Sequence, residues 1–477
     1  MTAAEGPLVV GVDSSTQSTK ALVVDVATGA VVARGQAPHV VTAEHDSDPE
    51  VWWSALRAAL DQCGEAVGRA GAVAVAGQQH GLVTLDAAGS PVRNALLWND
   101  TRSAPQRDRL LDELGGPEAW AQRVGSVPAA SFTVTKWAWL REHEPAAAEA
   151  THAVRLPHDY LTGRLTGGTV RGGTTDRGDA SGSGWWSTAT GRYDEEILAH
   201  VGLDPALLPR VVPAGEAAGT VTGGLPLPAG VPVAAGTGDN MAGALGLGLA
   251  PGSPVLSLGT SGTVYAVSRR RPADPSGTVA GFADAGDAFL PLACTLNCTL
   301  AVDRFATLLG LEREAVEAGG QAVVLPFLDG ERTPDLPYAS GLVHGLRHDT
   351  TPGQLLQAAY DGAVFALLKA LDLVLDEGAD PAEPILLIGG GARGTAWRET
   401  VRRLSGRPVR VPVAEELVAL GAAAQAAGLL LGRDPAAVAR DWDTARGPAF
   451  DAVPRDEAAL ERLATTLGDA DALLRRH

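Results

Sequence analysis

The sequence predicts an α/β protein made of two related halves. Leu8–Val24 holds two short runs of β-branched apolar residues joined by a small hydroxyl-rich loop, and Pro254–Val267 repeats this strand–loop–strand arrangement. Other apolar runs of strand length end in glycine-rich or polar turns and precede longer helical patterns. Because the strand–loop–strand unit occurs twice, we expect two halves with related folds and a junction within residues 240–253.

Composition and charge favour a protein that acts on small molecules. The chain has 477 residues, enough for two or more domains, and its 58 glycines are spread along the whole length. The net charge is −18, so a nucleic-acid partner is not expected. Three cysteines are too few for a disulfide framework, and no apolar run is long enough to cross a membrane. We therefore expect a cytoplasmic protein with no membrane partner.

The loop of the first hairpin is a candidate phosphate site. Asp13 ends the first strand, and Ser14–Thr19 supplies small side chains and hydroxyl groups before Lys20. Small residues let backbone N–H groups approach an anion, and hydroxyls add donors. A carboxylate at this place suits a hydrated Mg²⁺ ion. The residues alone also fit an ordinary polar turn.

Two polar clusters in the first half are candidate contacts for a polyhydroxylated ligand. Val73–Gly77 is predicted as a buried strand that delivers Gln79 and His80 to its carboxyl end, where open α/β sheets bind ligands. Asn99–Arg102 follows another apolar run, and each desolvated sugar hydroxyl needs such donors or acceptors. The alternatives are a structural histidine and a helix start capped by Asn99 or Asp100.

Two glycine-rich junctions complete the set of candidate ligand sites. Asp239 stands between a predicted strand and helix, and Gly236 and Gly238 allow a ligand to approach it. A plain helix N-cap is the alternative for this aspartate. Gly389–Gly394 follows the buried strand Ile385–Ile388 and suits a flat or anionic ligand, although no Walker motif follows.

Three long helices are predicted in the second half. The first runs from Thr351 to Glu377 with Thr350 or Thr351 as its cap, and the last, over 456–475, is amphipathic. Between them, Leu417–Leu431 is rich in alanine and glycine, which suits close packing beside a ligand.

Eight motifs extend in order over nearly the whole chain. They are VGVDSSTQSTK (10–20), DPEVWW (48–53), AGQQHG (76–81), LLWNDTR (96–102), GTGDN (236–240), LGTSG (258–262), GERTPD (330–335) and GGGARG (389–394). With these motifs the chain resembles the FGGY family of carbohydrate kinases. The resemblance implies a duplicated actin/hexokinase-like (ribonuclease H-like) fold, with a cleft between a sugar-binding domain (1–246) and a nucleotide-binding domain (247–477).

Within that family, the resemblance is greatest to members that phosphorylate D-xylulose. It implies ATP-dependent formation of D-xylulose 5-phosphate in xylose catabolism, with Mg²⁺ as cofactor and a homodimer as a candidate assembly. Family members that act on ribulose, gluconate or glycerol are the alternative, and a nucleotide-dependent sugar sensor is another. Two residues depart from the family pattern: Gln79 stands where Met is expected, and His158 replaces a Lys.

The resemblance also implies roles for individual residues. Asp239 would be the general base for the terminal hydroxyl of the sugar, and Asp13 would help to place Mg²⁺. The implied sugar pocket consists of Gln79, His80, Trp98, Asp100, Arg102 and Asn240. The implied ATP site consists of Ser14, Ser15, Thr16, Ser18, Lys20, Gly259, Thr260 and Ser261 around the phosphates, and of Gly389, Gly390, Gly391 and Ala392 beside adenosine.

Overall fold

The computed structural model describes residues 6–40, 45–375 and 380–475, and each half of the chain is centred on a seven-stranded sheet. The predicted α/β fold with two related halves is confirmed. The strands of the first half are β1 (Leu8–Ser14), β2 (Ser18–Asp25), β3 (Val31–Pro38), β4 (Asp46–Ser47), β5 (Ala70–Gly77), β6 (Val83–Leu85), β7 (Ala95–Leu96), β8 (Ala153–Arg155), β9 (Thr174–Asp176), β10 (Trp186–Ser187), β11 (Arg192–Tyr193), β12 (Arg210–Val212), β13 (Ala217–Thr220), β14 (Pro232–Ala234) and β15 (Thr237–Gly238).

The helices of the first half are interspersed among its strands along the sequence. They are α1 (Pro49–Gln62), α2 (Ala104–Glu113), α3 (Gly116–Val124), α4 (Thr133–His143), α5 (Pro145–Glu149), α6 (Pro157–Thr166), α7 (Arg177–Ser181), α8 (Glu195–His200) and α9 (Asp239–Gly246).

The second half alternates strands with longer helices. Its strands are β16 (Pro254–Leu258), β17 (Gly262–Ala266), β18 (Ala280–Ala283), β19 (Phe289–Thr295), β20 (Val323–Leu325), β21 (Leu342–His344), β22 (Ile385–Ile388), β23 (Val409–Arg410) and β24 (Ala449–Phe450). Its helices are α10 (Thr299–Leu309), α11 (Pro352–Val374), α12 (Thr395–Ser405), α13 (Leu417–Leu431), α14 (Pro435–Asp441) and α15 (Glu457–Leu474).

The first sheet brings three strand ends to one edge. Its order is β13-β14-β5-β1-β2-β3, and β15 also pairs with β5. Strand β5 is parallel to both β1 and β15, with Ser14 opposite Gly77 and Gly77 opposite Gly238. The residues that follow these three strands therefore meet at the carboxyl edge of the sheet.

The second sheet arranges its own ligand candidates in the same way. Its order is β18-β19-β17-β16-β22-β23-β24, and β16 runs parallel to β22 with Ser257 opposite Ile388. The hairpin loop after β16 and the glycine-rich turn after β22 consequently lie side by side. A Cβ atom on Gly389 would lie 2.8 Å from the carbonyl oxygen of Leu258, so only glycine fits this approach.

Local backbone features mark the ends of two helices. Helix α1 stops at Gln62, since Gly64 has a φ of 60° and a 3₁₀ turn follows. Asp48 caps this helix by accepting from the backbone N–H of Glu50. Helix α11 is capped by Thr351 and ends at Val374, while its expected end at Glu377 lies outside the described residues.

Helix α13 packs on the first half, although it belongs to the second half of the chain. It contacts α9, β1 and β5, and a Cβ atom on Gly11 would lie 2.0 Å from the carbonyl oxygen of Ala419. The small residues of α13 thus pack against protein backbone. The expectation that a ligand lies beside this helix stays a prediction. One hydrophobic core, including Ala74, Met241 and Val255, runs across both halves.

None of the described helices combines the length and the apolar character that a membrane crossing requires.

Candidate active site

A cavity of about 280 Å³ lies where the two halves meet. Both halves contribute its walls, so the cleft expected from the resemblance has a counterpart in the structure. The polar lining residues include Gln79, His80, Asp239 and Asn240 from the first half and Ser261, Thr263 and Arg332 from the second half.

Asp239 places a carboxylate in this cavity at the start of α9. Gly238 is the N-cap residue of the helix, so the alternative role of Asp239 as an N-cap was wrong. Its Oδ1 accepts from the backbone N–H of Asn240 at 2.8 Å. Burial, and then the negative charges of Asp13 and Asp179, raise the pKa of Asp239 to about 7. Such a carboxylate is suited to accept a proton near neutral pH.

The geometry of His80 fixes its tautomer. Nδ1 lies 2.7 Å from the carbonyl oxygen of Gly182, which can only accept, so Nδ1 carries the proton and Nε2 is an acceptor. Burial and the charge of Lys136 lower the pKa of His80 to about 3, which keeps the ring neutral. The ring stacks on Phe132 at 4.6 Å. His80 therefore offers the cavity a fixed acceptor for a hydroxyl group.

The backbone of His80 is also unusual, because its φ is 64°. Left-handed backbone is uncommon for residues other than glycine. Lys136, which is fully buried, donates to the carbonyl oxygen of His80 at 2.8 Å and also to that of Ser131. This buried ammonium group helps to hold the chain in its unusual conformation.

Gln79 and Asn240 form a pair beside the carboxylate. Nδ2 of Asn240 donates to Oε1 of Gln79 at 2.8 Å and lies 3.2 Å from Oδ1 of Asp239. Three of the predicted site residues are thus joined by hydrogen bonds at one wall of the cavity.

Trp98 connects the cavity to the first hairpin. The indole is 46% exposed and lines the cavity, and its Nε1 donates to Oγ1 of Thr16 at 2.9 Å. The predicted sugar-side and phosphate-side residues therefore touch each other at this point.

Only some hydroxyls of the first hairpin loop remain available to a ligand. Oγ of Ser14 lies 3.1 Å from Oγ1 of Thr19, and both residues are buried. Oγ of Ser15 donates to Oδ1 of Asp13 at 2.6 Å. Ser18 is partly exposed and accepts from Gln36. The internal pairs hold the turn in shape.

Charged groups surround Asp13 at the base of this hairpin. Its Oδ2 lies 4.0 Å from Nζ of Lys20, and Lys20 forms a 2.5 Å ion pair with Glu416 of the second half. Burial raises the pKa of Asp13. Among the described residues, no group of three or more His, Cys, Asp or Glu side chains forms a ready-made metal cluster.

The second hairpin presents exposed groups opposite the first. Thr260 and Ser261 are exposed, and the carbonyl oxygen of Gly259 accepts from Oγ1 and N–H of Thr299 at the start of α10. In the neighbouring turn, the predicted residues Gly389 and Gly390 are exposed, while Gly391 and Ala392 are buried. The turn and the loop together form one surface on the second sheet.

Asp100 and Arg102 lie outside the lining of the cavity. Their side chains form a 2.7 Å ion pair, and Arg102 also binds Asp46 at 2.6 Å. Neither Asn99 nor Asp100 caps the next helix, since Ser103 occupies the position before α2. The negative charge of Asp100 favours the charged form of buried Lys136. Lys136 in turn donates to the backbone of His80, so Asp100 affects the cavity only through that lysine.

Sequence reasoning did not identify four residues of the site. For Lys136, the signal that could have revealed it is a lysine in a segment with tryptophans and valine. Arg332 lies in a motif that carried the resemblance but received no role. Phe132 and Phe282 had no sequence signal, because they form the apolar wall through contacts between distant segments.

The arrangement can support transfer of an anionic group to a hydroxyl. Asp239 can accept the proton, and the neighbouring acceptors and donors can orient a polyhydroxylated molecule. The first hairpin reaches this region through the hydrogen bond of Thr16 to Trp98, and the second contributes Ser261 to the cavity, so hydroxyl groups of both halves could contact a phosphate chain.

Comparison with known proteins agrees with this geometry. Residues 8–246 match the model of the FGGY family of carbohydrate kinases, N-terminal domain, and residues 255–429 match that of the C-terminal domain. The chain is 74% identical to a xylulose kinase of Streptomyces rubiginosus over 100% of its length and 99% of that protein. It is 34% identical to a xylulose kinase of Escherichia coli K12, with 83% and 85% covered.

Solved structures extend the comparison to three dimensions. The crystal structure of xylulose kinase from Bifidobacterium adolescentis superimposes with a TM-score of 0.86 at 36% identity, covering 97% of this chain and 99% of that one. The N-terminal and C-terminal family models match most of the chain in their expected order, and the chain is therefore a member of the FGGY family of carbohydrate kinases.

Proposed function

We propose that this chain transfers the γ-phosphoryl group of ATP to the terminal hydroxyl of D-xylulose, forming D-xylulose 5-phosphate and ADP. The observation that carries the proposal is the Asp239 carboxylate, whose pKa is raised to about 7, in a cavity lined by both halves. The high identity to relatives named xylulose kinase supports D-xylulose as the acceptor.

Asp239 is the proposed general base. As the hydroxyl oxygen of the sugar attacks the γ-phosphorus, its proton passes to the carboxylate of Asp239. The bond between the γ-phosphorus and the bridging oxygen breaks, and ADP leaves with the electron pair. The transition state is loose and anionic, so its stabilisation depends on positioning and on hydrogen-bond donors.

The sugar is proposed to lie along the wall formed by the first half. Nε2 of His80 accepts from one hydroxyl, Gln79 and Asn240 orient the end near Asp239, and Trp98 covers the ligand with its ring. Asp100 and Arg102 act on the sugar site indirectly, since Arg102 is paired with Asp46 and the charge of Asp100 acts on Lys136, while neither residue lines the cavity.

ATP is proposed to bridge the two hairpins. Exposed Thr260 and Ser261 and the loop that contains Ser15 and Thr16 would hold its phosphates, together with Ser14, Ser18, Lys20 and Gly259. Adenosine would lie against the turn of Gly389, Gly390, Gly391 and Ala392, whose small residues permit a close approach.

Asp13 fits a site for Mg²⁺. Its carboxylate and that of Asp239 are close enough to repel each other, and a divalent cation that keeps water and phosphate ligands needs only one or two protein carboxylates. When bound there, Mg²⁺ would neutralise the charge of the phosphates. Ser15 holds Asp13 in place through the 2.6 Å hydrogen bond to its Oδ1.

A coupled assay of ADP release tests the proposal. Initial rates are measured with D-xylulose, D-ribulose, D-gluconate, glycerol and no sugar, and we expect kcat/KM for D-xylulose to exceed the others by about 100-fold or more. A clear preference for another acceptor would overturn D-xylulose as the substrate. ADP release with none of them, combined with nucleotide-dependent sugar binding, would favour the sensor.

The place of action and the assembly belong to the same proposal. The three cysteines, at positions 63, 294 and 298, are all free, which supports a reducing compartment such as the cytoplasm. The candidate homodimer is tested by light scattering during size-exclusion chromatography, which gives the mass of the particle directly.

A further inference from the structure

The first turn of α4 holds His80 by its ring and by its backbone. The ring stacks on Phe132, the residue before the helix, with the two planes inclined by 15°. The carbonyl oxygen of His80 accepts from Nζ of Lys136 at 2.8 Å and from Oγ1 of Thr133 at 3.3 Å. Lys136 and Thr133 have no exposed surface. One short segment thus fixes the residue that offers its Nε2 atom to the cavity.

Lys136 also joins two parts of the cavity wall. Its ammonium group donates to the carbonyl oxygen of Ser131 as well as to that of His80. Both of these residues line the cavity and lie outside the regular helices and strands, while Lys136 does not line it. The lysine therefore ties the segment that follows β5 to the segment that precedes α4.

The position of Nε2 depends on the backbone of His80 as well as on its ring. The φ of 64° lies in the left-handed region, which is unfavourable for a residue with a side chain. The ring is confined, because a Cβ atom on Gly182 would lie 3.0 Å from Cε1 of His80, and Nδ1 lies 2.7 Å from the carbonyl oxygen of Gly182. A change of the backbone at His80 would therefore move the ring out of this place and shift Nε2.

Stability alone does not account for a lysine at this position. Burial removes the hydration of the ammonium group, and the atoms to which it donates are carbonyl oxygens rather than a carboxylate. Such partners offset the loss of hydration only in part. An apolar side chain would avoid that loss, but it would deprive the carbonyl oxygens of His80 and Ser131 of this donor.

We propose that Lys136 is a positioning residue for the sugar site, which it serves by holding the backbone carbonyl of His80. Without this donor, His80 is no longer held in its left-handed conformation, and Nε2 leaves the place where a sugar hydroxyl meets it. An acceptor that moves by a fraction of an ångström loses much of its contribution to binding. The inference rests on the proposed function, because it takes the cavity to be the sugar site.

The test compares Lys136→Met with Arg155→Met in the full-length protein. Methionine is similar to lysine in length but cannot donate. Arg155 is a matched control, because it is another buried cation of the first half that donates to loop carbonyl oxygens, those of Thr169 and Val170, and it does not line the cavity.

The expected result is a selective loss of sugar affinity. We expect KM for D-xylulose to rise about tenfold in Lys136→Met, which corresponds to the loss of one well-placed hydrogen bond. Because this interaction serves binding rather than the chemical step, kcat and KM for ATP should stay within about twofold of the wild type. Arg155→Met should leave all three constants near their wild-type values.

Thermal unfolding of both variants separates positioning from folding. Each substitution leaves buried carbonyl oxygens without a donor, so both should lower Tm. A raised KM for D-xylulose in both variants, or in neither, would overturn the proposal, and so would an equal rise in KM for ATP in Lys136→Met. A wild-type protein that does not phosphorylate D-xylulose would instead refute the proposed function, which keeps the two failures distinct.

A double-mutant cycle with His80→Ala tests the route of the effect. The Nε2 acceptor is already absent in that background, so Lys136→Met should add less than about twofold to KM for D-xylulose. Multiplicative losses would show that Lys136 does not act through His80 and would overturn the proposal. If Lys136→Met does not fold, Lys136→Gln decides, because its shorter and uncharged side chain weakens both hydrogen bonds. A raised KM for D-xylulose at unchanged KM for ATP then supports the inference, and a wild-type KM overturns it.

Discussion

A Cβ atom built on Gly421 would lie 1.8 Å from the carbonyl oxygen of Ala242. This contact joins α13 of the second half to α9, the helix that begins with Asp239. The two helix backbones touch at this point, so the position of the Asp239 carboxylate depends on a helix that lies almost two hundred residues further along the chain.

Gly421→Ala is expected to destabilise the protein. The added methyl group has backbone on its far side and cannot be accommodated by a change of rotamer, so we expect a loss of about 1–3 kcal/mol. Thermal unfolding by calorimetry measures this as a lowered Tm. The matched control is Gly468→Ala in α15, where a Cβ atom meets nothing within 4 Å. It should leave Tm unchanged or slightly raised. Equal Tm values for both variants would contradict the close contact.

The sequence alone identified the elements that arise from local patterns. Both hairpins, and the strand ends that carry Asp13, Gln79 and Asp239, follow from apolar runs with glycine or polar residues after them. Since parallel strands of a sheet end at the same edge, the meeting of these strand ends at one edge was also predictable.

Partners that come from distant segments could not be predicted. Arg102 binds Asp46, because the short strands β4 and β7 pair and bring the two residues together. The small residues of α13 predicted close packing but not the helix and strands that it contacts. The role of Lys136 depends on its hydrogen bond to the carbonyl oxygen of His80, which lies more than fifty residues away in the sequence.

His80→Ala is expected to weaken sugar binding selectively. The variant removes the Nε2 acceptor, and the hydroxyl that it pairs with would be left buried without a partner. We expect KM for D-xylulose to rise by about 10- to 100-fold, with KM for ATP within about twofold of the wild type. Steady-state kinetics with each substrate varied in turn supply both values. Equal changes in the two KM values would show that His80 does not bind the sugar selectively.

Lys20 and Glu416 allow a test of the ATP site at the first hairpin. Lys20→Met removes the positive charge nearest Asp13 and should raise KM for ATP by about tenfold. Glu416→Gln removes the other partner of the same partly exposed ion pair, which is worth at most about 1 kcal/mol. It should therefore leave that KM within about threefold. If both variants behave alike, the ion pair rather than contact with the phosphates determines the role of Lys20.

The activity should fall at low pH because Asp239 must be ionised to accept a proton. Burial and the charges of Asp13 and Asp179 raise its pKa to about 7. In the complex with ATP, kcat/KM for D-xylulose is expected to decrease tenfold per pH unit on the acidic side of the profile. Asp239→Asn should lower kcat by about 10²- to 10⁴-fold while ATP binding, measured by calorimetry, survives. More than a few percent of wild-type turnover in that variant would exclude Asp239 as the base.

The raised pKa of Asp239 also predicts that the same substitution stabilises the protein in alkaline solution. The folded state binds this proton more tightly than the unfolded state, whose pKa is near 3.8. The wild type therefore loses stability as the pH rises from about 4 to about 7, and an asparagine does not. Without ligands, Asp239→Asn should have a Tm a few degrees above that of the wild type at pH 8, and the two should agree at pH 4. Asp469→Asn, which changes an exposed carboxylate in α15, serves as the control. A Tm at pH 8 no higher than that of the wild type would show that ionisation of the Asp239 carboxylate does not destabilise the folded protein.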